Sequence, residues 1–251
     1  AFARADGFIR IPAATEIVEE GSSLDVRLIE ADIEPADMIA IGSHCVGFDH
    51  VLGLLAGTGH RVKSIPVGST AGIAALRRGE GDVAGVHLLD ENTGTYNEPF
   101  LPEGVRLVRG YRRRQGIVYR ADDVRFEVGD VEDLKRVLQE SDARMVNRNP
   151  GSGTRILIDG LLDGEQPSGY LHQAKTHHAV AAAVEQGRAD WGMTLDTVAA
   201  AAGLDFYFIA DEQYDIAVRE DSWDKPAVAA LRDLLDAPEV AADLLDLGFA
   251  R

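Results

Sequence analysis

Four short stretches of this 251-residue chain set glycine, hydroxyl and imidazole groups where an apolar run gives way to a helical pattern. They are Gly42-Ser43-His44, Gly68-Ser69-Thr70, Gly151-Ser152-Gly153-Thr154-Arg155 and Thr176-His177-His178. A helix N-terminus exposes unpaired backbone N–H groups and about half a unit of positive charge, so it attracts anions. Glycine lets backbone approach a ligand, and hydroxyls donate hydrogen bonds without adding a full charge. The chemistry these stretches point to is recognition of a small oxyanion. Arg155 would add a bidentate, charge-assisted contact, and His44, His177 and His178 would donate more strongly when protonated. The candidate ligand-binding residues are therefore Ser43, His44, Ser69, Thr70, Ser152, Gly153, Thr154, Arg155 and His177.

A plainer reading stands beside each. Ser or Thr before a helix is commonly an N-cap worth about 1 kcal/mol, and for Ser43 or Ser69 alone that is the simpler account. The two glycines around Ser152 make its stretch more specific. Arg112-Arg113-Arg114 resembles an anion site, but alternation turns Arg113 away from its neighbours and suggests a salt-bridged hinge strand. Asp82 and Asp190 follow helix-ending glycines, where a carboxylate fixes a turn. No serine is visibly paired with a base, Gly-x-Ser-x-Gly does not occur, and no His-Glu-x-x-His supports a metal. We expect no catalytic residue, no metal and no cofactor in this segment. Cys45 is the single cysteine, which excludes an internal disulfide and reads as a small core residue.

The elements that must hold these loops follow a repeating rhythm. Met38-Ile-Ala-Ile reads as a strand, Val46 to Leu55 as a helix, Arg61 to Val67 as a strand, Ala71 to Arg78 as a helix and Asp82 to Leu89 as a buried strand. A second pass reads Ala143 to Asn147 as a strand, a helix through Leu162, a helix over Ala179 to Gln186 and a strand over Ala189 to Met193. Gly79 and Gly187 are spaced as Asp82 and Asp190 are, and Gly42 and Gly151 differ from that spacing by one residue, which suggests internal duplication. Two α/β lobes with parallel sheets would enclose a cleft at the carboxyl ends of their strands. Tyr214 to Arg219 reads as a strand, and Pro226 and Pro238 open two closing helices. We expect residues 1–35 to be a β-rich tail, residues 36–112 with 213–251 one lobe, and residues 113–212 the other. Hinges would lie near Asp90 to Arg114 and Asp211 to Asp215.

Composition narrows the partners. The formal net charge is −17, from 42 acidic and 25 basic residues, so the surface repels nucleic acid and anionic membrane. No apolar run approaches the ~20 residues of a membrane helix. The start at Ala1, without a methionine, leads us to expect further residues upstream.

Specific phrases then carry a resemblance. Val67-Gly-Ser-Thr-Ala-Gly-Ile-Ala-Ala-Leu, Gly81-Asp-Val-Ala-Gly-Val-His-Leu-Leu-Asp, Arg114-Gln-Gly, Asn147-Arg-Asn-Pro-Gly-Ser-Gly-Thr-Arg, the run from His178 to Gly192 and Gly203-Leu-Asp-Phe resemble the type II periplasmic-binding-protein-like domain attached to molybdenum-related proteins. Ala5-Asp-Gly-Phe-Ile-Arg-Ile-Pro-Ala resembles the C-terminal β-rich end of molybdopterin molybdenumtransferase. The family's Gly-Asn-Pro turn between Tyr119 and Val131 is replaced here by Ala121-Asp-Asp-Val-Arg. The resemblance implies a two-lobed, hinged α/β fold binding molybdate or tungstate, in the cytoplasm, behind an upstream enzymatic or DNA-binding domain; a homodimer is left open. Two alternatives remain: part of a molybdenum-insertion enzyme whose cleft holds a phosphorylated pterin, with Tyr111, Tyr214 or Trp191 stacking on it, or the effector domain of a transcription regulator.

Overall fold

The computed structural model describes residues 5–19, 21–29, 33–90, 93–140, 142–150 and 152–250. Gly151, with its expected match to Gly42, and Glu20 of the expected β-rich tail lie outside the described residues. Near the start, β1 (Gly7–Ile9) and β2 (Val26–Leu28) pair antiparallel as a separate two-stranded sheet.

The main sheet is built by two copies of one unit. The first copy runs β3 (Met38–Gly42), α1 (Val46–Gly57), β4 (Val62–Pro66), α2 (Ser69–Arg77) and β5 (Val83–Val86). There follow β6 (Val105–Tyr119) and α3 (Val131–Glu140). The second copy runs β7 (Met145–Arg148), α4 (Gly153–Leu162), β8 (Gln173–Ala174), α5 (His177–Glu185) and β9 (Trp191–Leu195). Then come α6 (Asp196–Ala201), β10 (Asp205–Arg219), α7 (Pro226–Asp236) and α8 (Pro238–Asp246). The strand order β4-β3-β5-β10-β6-β9-β7-β8 reads the same from either end once the copies are exchanged.

The duplication extends to hydrogen bonds. Asp82 donates its N–H to Ile39 O at 2.9 Å and accepts from Ile39 N at 2.8 Å. Asp190 does the same with Arg144, at 2.6 and 2.8 Å. Each carboxylate thus pins the start of a neighbouring strand, the turn-fixing role expected of it. Gly79 and Gly187 before them take φ of 77° and 67°, a left-handed helix end that glycine accepts without strain.

Between the copies lie β6 and β10, each 15 residues long and antiparallel along their lengths. The strand expected from Tyr214 begins nine residues earlier, at Asp205, because Phe206-Tyr-Phe-Ile continues the β pattern across to the second half. β10 pairs β5 through Asp215 to Val218, and β6 pairs β9 through Gln115 to Tyr119, so both strands serve both lobes. Register shifts at Phe208/Ala210 and Tyr214/Ile216 bracket the crossing. Such bulges bend a strand and deepen its twist. Between them Arg113 faces Glu212 across the ladder.

Apolar side chains cover both faces of the sheet. In the first half, Phe48, Val51, Leu52 and Leu55 of α1 meet Met38 and Ala40 and the helical residues Val228, Leu231, Val240 and Leu244. Leu76 of α2 packs on Ala84 and Val86 from the other face. In the second half, Val180 and Val184 of α5 join Val198 on one side, while Leu134, Ile158 and Leu162 surround Met145 and Trp191 on the other. Tyr111 and Tyr214 stack at 5.3 Å inside the first core, and they and Trp191 are at most 1% exposed. They do not line a cleft, which removes the stacking platform a pterin would need.

Candidate functional site

Parallel strands deliver their carboxyl ends, and the helices that follow, to the line where the two halves meet. From the first half come Ser43 after β3, His87 after β5 and Ser69 opening α2. Ser43 Oγ lies 2.8 Å from His87 Nε2, and Ser69 Oγ accepts from the His87 N–H at 3.1 Å. From the second half come Arg148 ending β7, Gly153 and Thr154 opening α4, His177 opening α5 and Thr194 on β9. Arg148 Nη1 is 3.2 Å from both ring nitrogens of His177, and Thr194 Oγ1 is 3.3 Å from His177 Nδ1. The crossing strands add Arg113, Gln115 and Glu212. Glu212 takes Arg113 Nη2 on one oxygen and His87 Nδ1, at 2.6 Å, on the other. The halves touch here: a Cβ built on Gly153 would fall 2.9 Å from the His87 carbonyl oxygen.

The loop after His87 is braced by Asn97, fully buried with a left-handed φ of 64°. Its Oδ1 accepts from Leu88 N at 2.7 Å and its Nδ2 donates to Asp215 Oδ2 at 2.8 Å, tying that loop to β10.

Charge in the cluster is unevenly matched. Burial would raise Glu212, but Arg113 and His87 hold it down at about 2, so it is ionised. Burial lowers His87 despite the opposing pull of Glu212, and burial together with Arg148 and Arg113 holds His177 well below the usual histidine value. Both rings are neutral at physiological pH. Arg148 is lowered to about 10 by burial, which outweighs the attraction of Glu212, and the repulsion of Arg113 adds to the lowering. Two guanidinium groups therefore face one carboxylate. Several polar groups there are buried without partners: the donors Arg113 Nε and Nη1 and Arg148 Nε, the Thr154 hydroxyl, and both the nitrogen and the oxygen of the Gln115 amide. An unsatisfied buried polar group costs about 1–3 kcal/mol, and native proteins keep few of them. Such a set concentrated where two lobes meet is the signature of a binding site.

The nine residues singled out from the sequence divide. Ser43, Ser69, Gly153, Thr154 and His177 come together. Ser69, Gly153 and His177 are the first residues of their helices and Thr154 the second, not parts of the loops before them, because Gly68, Ser152 and Thr176 are the caps. Ser152 accepts from Arg155 N at 3.2 Å, the ordinary capping role. Arg155 is engaged by Asp159 at 2.8 Å and Tyr170 Oη at 2.5 Å, and it donates to Arg148 O at 3.2 Å. It buttresses the site instead of entering it, since its helical (i, i+4) acid is closer than the cleft. His44 turns outward to Asp49 at 2.7 Å, and Thr70 is exposed.

His87, Arg148, Gln115, Thr194 and Glu212 were not among them, and Arg113 was read only as a hinge residue. Their common signal is a polar residue within or at the end of an otherwise apolar strand, as in Val83-Ala-Gly-Val-His and Met145-Val-Asn-Arg. The structure also supplies the nucleophile–base neighbour that the sequence did not reveal, since Ser43, His87 and Glu212 stand in hydrogen-bonded order. Acyl chemistry needs free N–H donors aimed at a developing oxyanion, and the Ser43 N–H is committed to Gly85 O at 2.8 Å. Among the described residues no group of three or more His, Cys, Asp or Glu is placed to hold a metal ion, and no helix is long and apolar enough to cross a membrane.

A family model for the PBP superfamily domain matches residues 53–236. The chain belongs to the PBP superfamily. A curated relative, the uncharacterized protein YvgK of Bacillus subtilis (strain 168), is 31% identical over 191 residues. The match takes in 72% of this chain but 59% of the relative, so the chain spans less than two thirds of that protein's length. Among solved PBP-like structures, a putative phosphate ABC transporter substrate-binding protein with bound phosphate from Clostridium perfringens aligns at TM-score 0.67 and 12% identity, over 85% of this chain and 98% of that one. The tungstate ABC transporter protein from Geobacter sulfurreducens aligns at TM-score 0.60 and 19% identity, over 83% and 97%. At these identities the likeness is one of fold, a two-lobed PBP-like architecture.

Proposed function

We propose that this domain binds a small tetrahedral oxyanion between its lobes and does no chemistry on it. The observation that carries the reading is the pair of buried guanidinium groups with unpartnered N–H groups: Arg113 is tied through Glu212 and His87 to Ser69 at the start of α2, and Arg148 to His177 at the start of α5. An anion there would pair the uncompensated charge, satisfy the orphaned donors and touch both halves at once, favouring the closed form. The field it enters is local, set inside a molecule whose net charge is −17.

The oxyanions in the frame are molybdate and tungstate, which the resemblance of the sequence implies, and phosphate, which a PBP-like neighbour of similar fold holds. A role as the cytoplasmic sensing or retaining module of a molybdenum-related protein, joined to an upstream enzymatic or DNA-binding domain, belongs to the same proposal. Isothermal titration of the full chain with phosphate, sulfate, molybdate and tungstate tests it. Saturable binding of at least one anion at one site per chain is expected, and no heat from any of the four at low or high salt would dismiss the reading.

A further inference from the structure

Two serines of the cleft bond the same histidine with opposite polarity. His87 Nδ1 lies 2.6 Å from Glu212 Oε1. Glu212 is an ionised acceptor with no hydrogen to give, so Nδ1 carries the ring's proton. The ring is neutral, because burial and the facing charges of Arg113 and Arg148 outweigh the pull of Glu212. Nε2 is therefore a bare acceptor. The group 2.8 Å from it, the Ser43 hydroxyl, must donate. That uses the only hydrogen on Ser43 Oγ and leaves it lone pairs alone to offer. Its backbone is held as well: the N–H donates to Gly85 O at 2.8 Å and the carbonyl accepts from Tyr214 Oη at 2.6 Å. Ser69 is the converse. Its oxygen already accepts from the His87 N–H at 3.1 Å, so its hydrogen is free to be donated.

Around the cleft, Arg113, Arg148, Ser69, Thr154 and the helix N–H groups are donors, while the unpartnered amide of Gln115 brings one donor end and one acceptor end. We infer that Ser43 is an acceptor set among these donors, and that the ligand is a tetrahedral oxyanion still carrying a proton, of the hydrogenphosphate class and not the fully ionised molybdate, tungstate or sulfate class. The inference rests on the cleft being the anion site. A fully ionised anion would meet the lone pairs of Ser43, or force its hydroxyl to turn and leave His87 Nε2 buried and unpaired. Either arrangement costs the equivalent of about tenfold to a hundredfold in affinity.

The test is calorimetry on the full chain with inorganic phosphate, sulfate, molybdate and tungstate at one pH and ionic strength, repeated on Ser43→Ala and Ser69→Ala. Phosphate is expected to bind about tenfold to a hundredfold more tightly than sulfate in the native chain. Ser43→Ala collapses that ratio by weakening phosphate, which loses its acceptor, and relieving sulfate of the facing lone pairs; Ser69→Ala weakens both alike and preserves it. Should Ser43→Ala not fold, the native ratio decides alone. Sulfate, molybdate or tungstate binding as tightly as phosphate, or an unchanged ratio in Ser43→Ala, overturns the inference and leaves anion binding intact. Silence from all four anions overturns the binding reading and this inference together.

Discussion

Arg148 and Arg155 reach the same end of α4 but carry opposite kinds of debt to their surroundings. Arg148 is buried, lacks a carboxylate of its own and leaves Nε unpaired. A buried unpaired charge destabilises the unliganded fold, and an uncharged residue of similar shape relieves it. Arg148→Met is therefore expected to keep or raise the melting temperature while weakening anion binding about a hundredfold or more. Arg155 already has Asp159 and Tyr170, so Arg155→Ala should cost stability, about 1–2 kcal/mol, and change affinity less than about tenfold. Melting curves and titrations on both variants check the pair, and equal losses of affinity would return Arg155 to the cleft. Residues such as Ser69, Gly153, Thr154 and His177 were legible because a helix start is a local pattern. His87, Arg148 and Glu212 were not, since their role comes from pairing: Ser43 with His87 across 44 positions, and Arg113 with Glu212 across 99. Only the sheet order brings such partners together.

At the scale of elements, the first turn of α4 sets how closely the halves approach. Gly153 is helical and buried, and the nearest atom to its missing Cβ belongs to the opposite half, His87 O at 2.9 Å. Alanine at a helical position favours the helix over glycine by up to about 1 kcal/mol. Gly153→Ala should therefore leave thermal stability unchanged or slightly raised, yet hold the lobes apart and weaken the anion about tenfold or more. Small-angle scattering should show a larger radius of gyration with ligand present than the native chain has, and normal closure would remove α4 from the contact. The repeated βα unit was readable from glycine and aspartate spacing, because the same turn and the same carboxylate-to-strand bond recur at Asp82 and Asp190. The crossing strands were harder to read. Their 15-residue runs mix Arg113, Gln115 and Glu212 into apolar sequence, which breaks the hydrophobic alternation where the site needs polar groups.

For the whole molecule, acid is the condition that separates folding from binding. Glu212 is depressed to about 2 from an ordinary 4.5, so the unfolded chain takes up this proton first, and the stability Glu212 gives above pH 4.5 is lost as the pH falls from there toward 2. His87 and His177 are also depressed, from 6.5: His87 by burial, with Arg113 and Arg148 adding to it against the pull of Glu212, and His177 by burial and by Arg148, Arg113, His87 and His178. The unfolded chain again binds protons that the folded one refuses, so stability declines once the pH drops below about 6.5, by up to about 1.4 kcal/mol per pH unit for each ring. All three groups act with the same sign. Urea unfolding between pH 8 and pH 3 should thus show a loss beginning near 6.5 and a further one below 4.5, and His177→Gln should flatten the first. A bound anion changes the first step only. Its charge beside His177 favours the protonated ring and brings the folded-state pKa back toward the unfolded 6.5, so saturating ligand should shrink that decline, its onset still near 6.5, while leaving the fall below 4.5 in place. If ligand protects equally across the whole range, the anion does not face His177, and the second lobe's share of the site has to be sought at Thr154 and Arg148 instead.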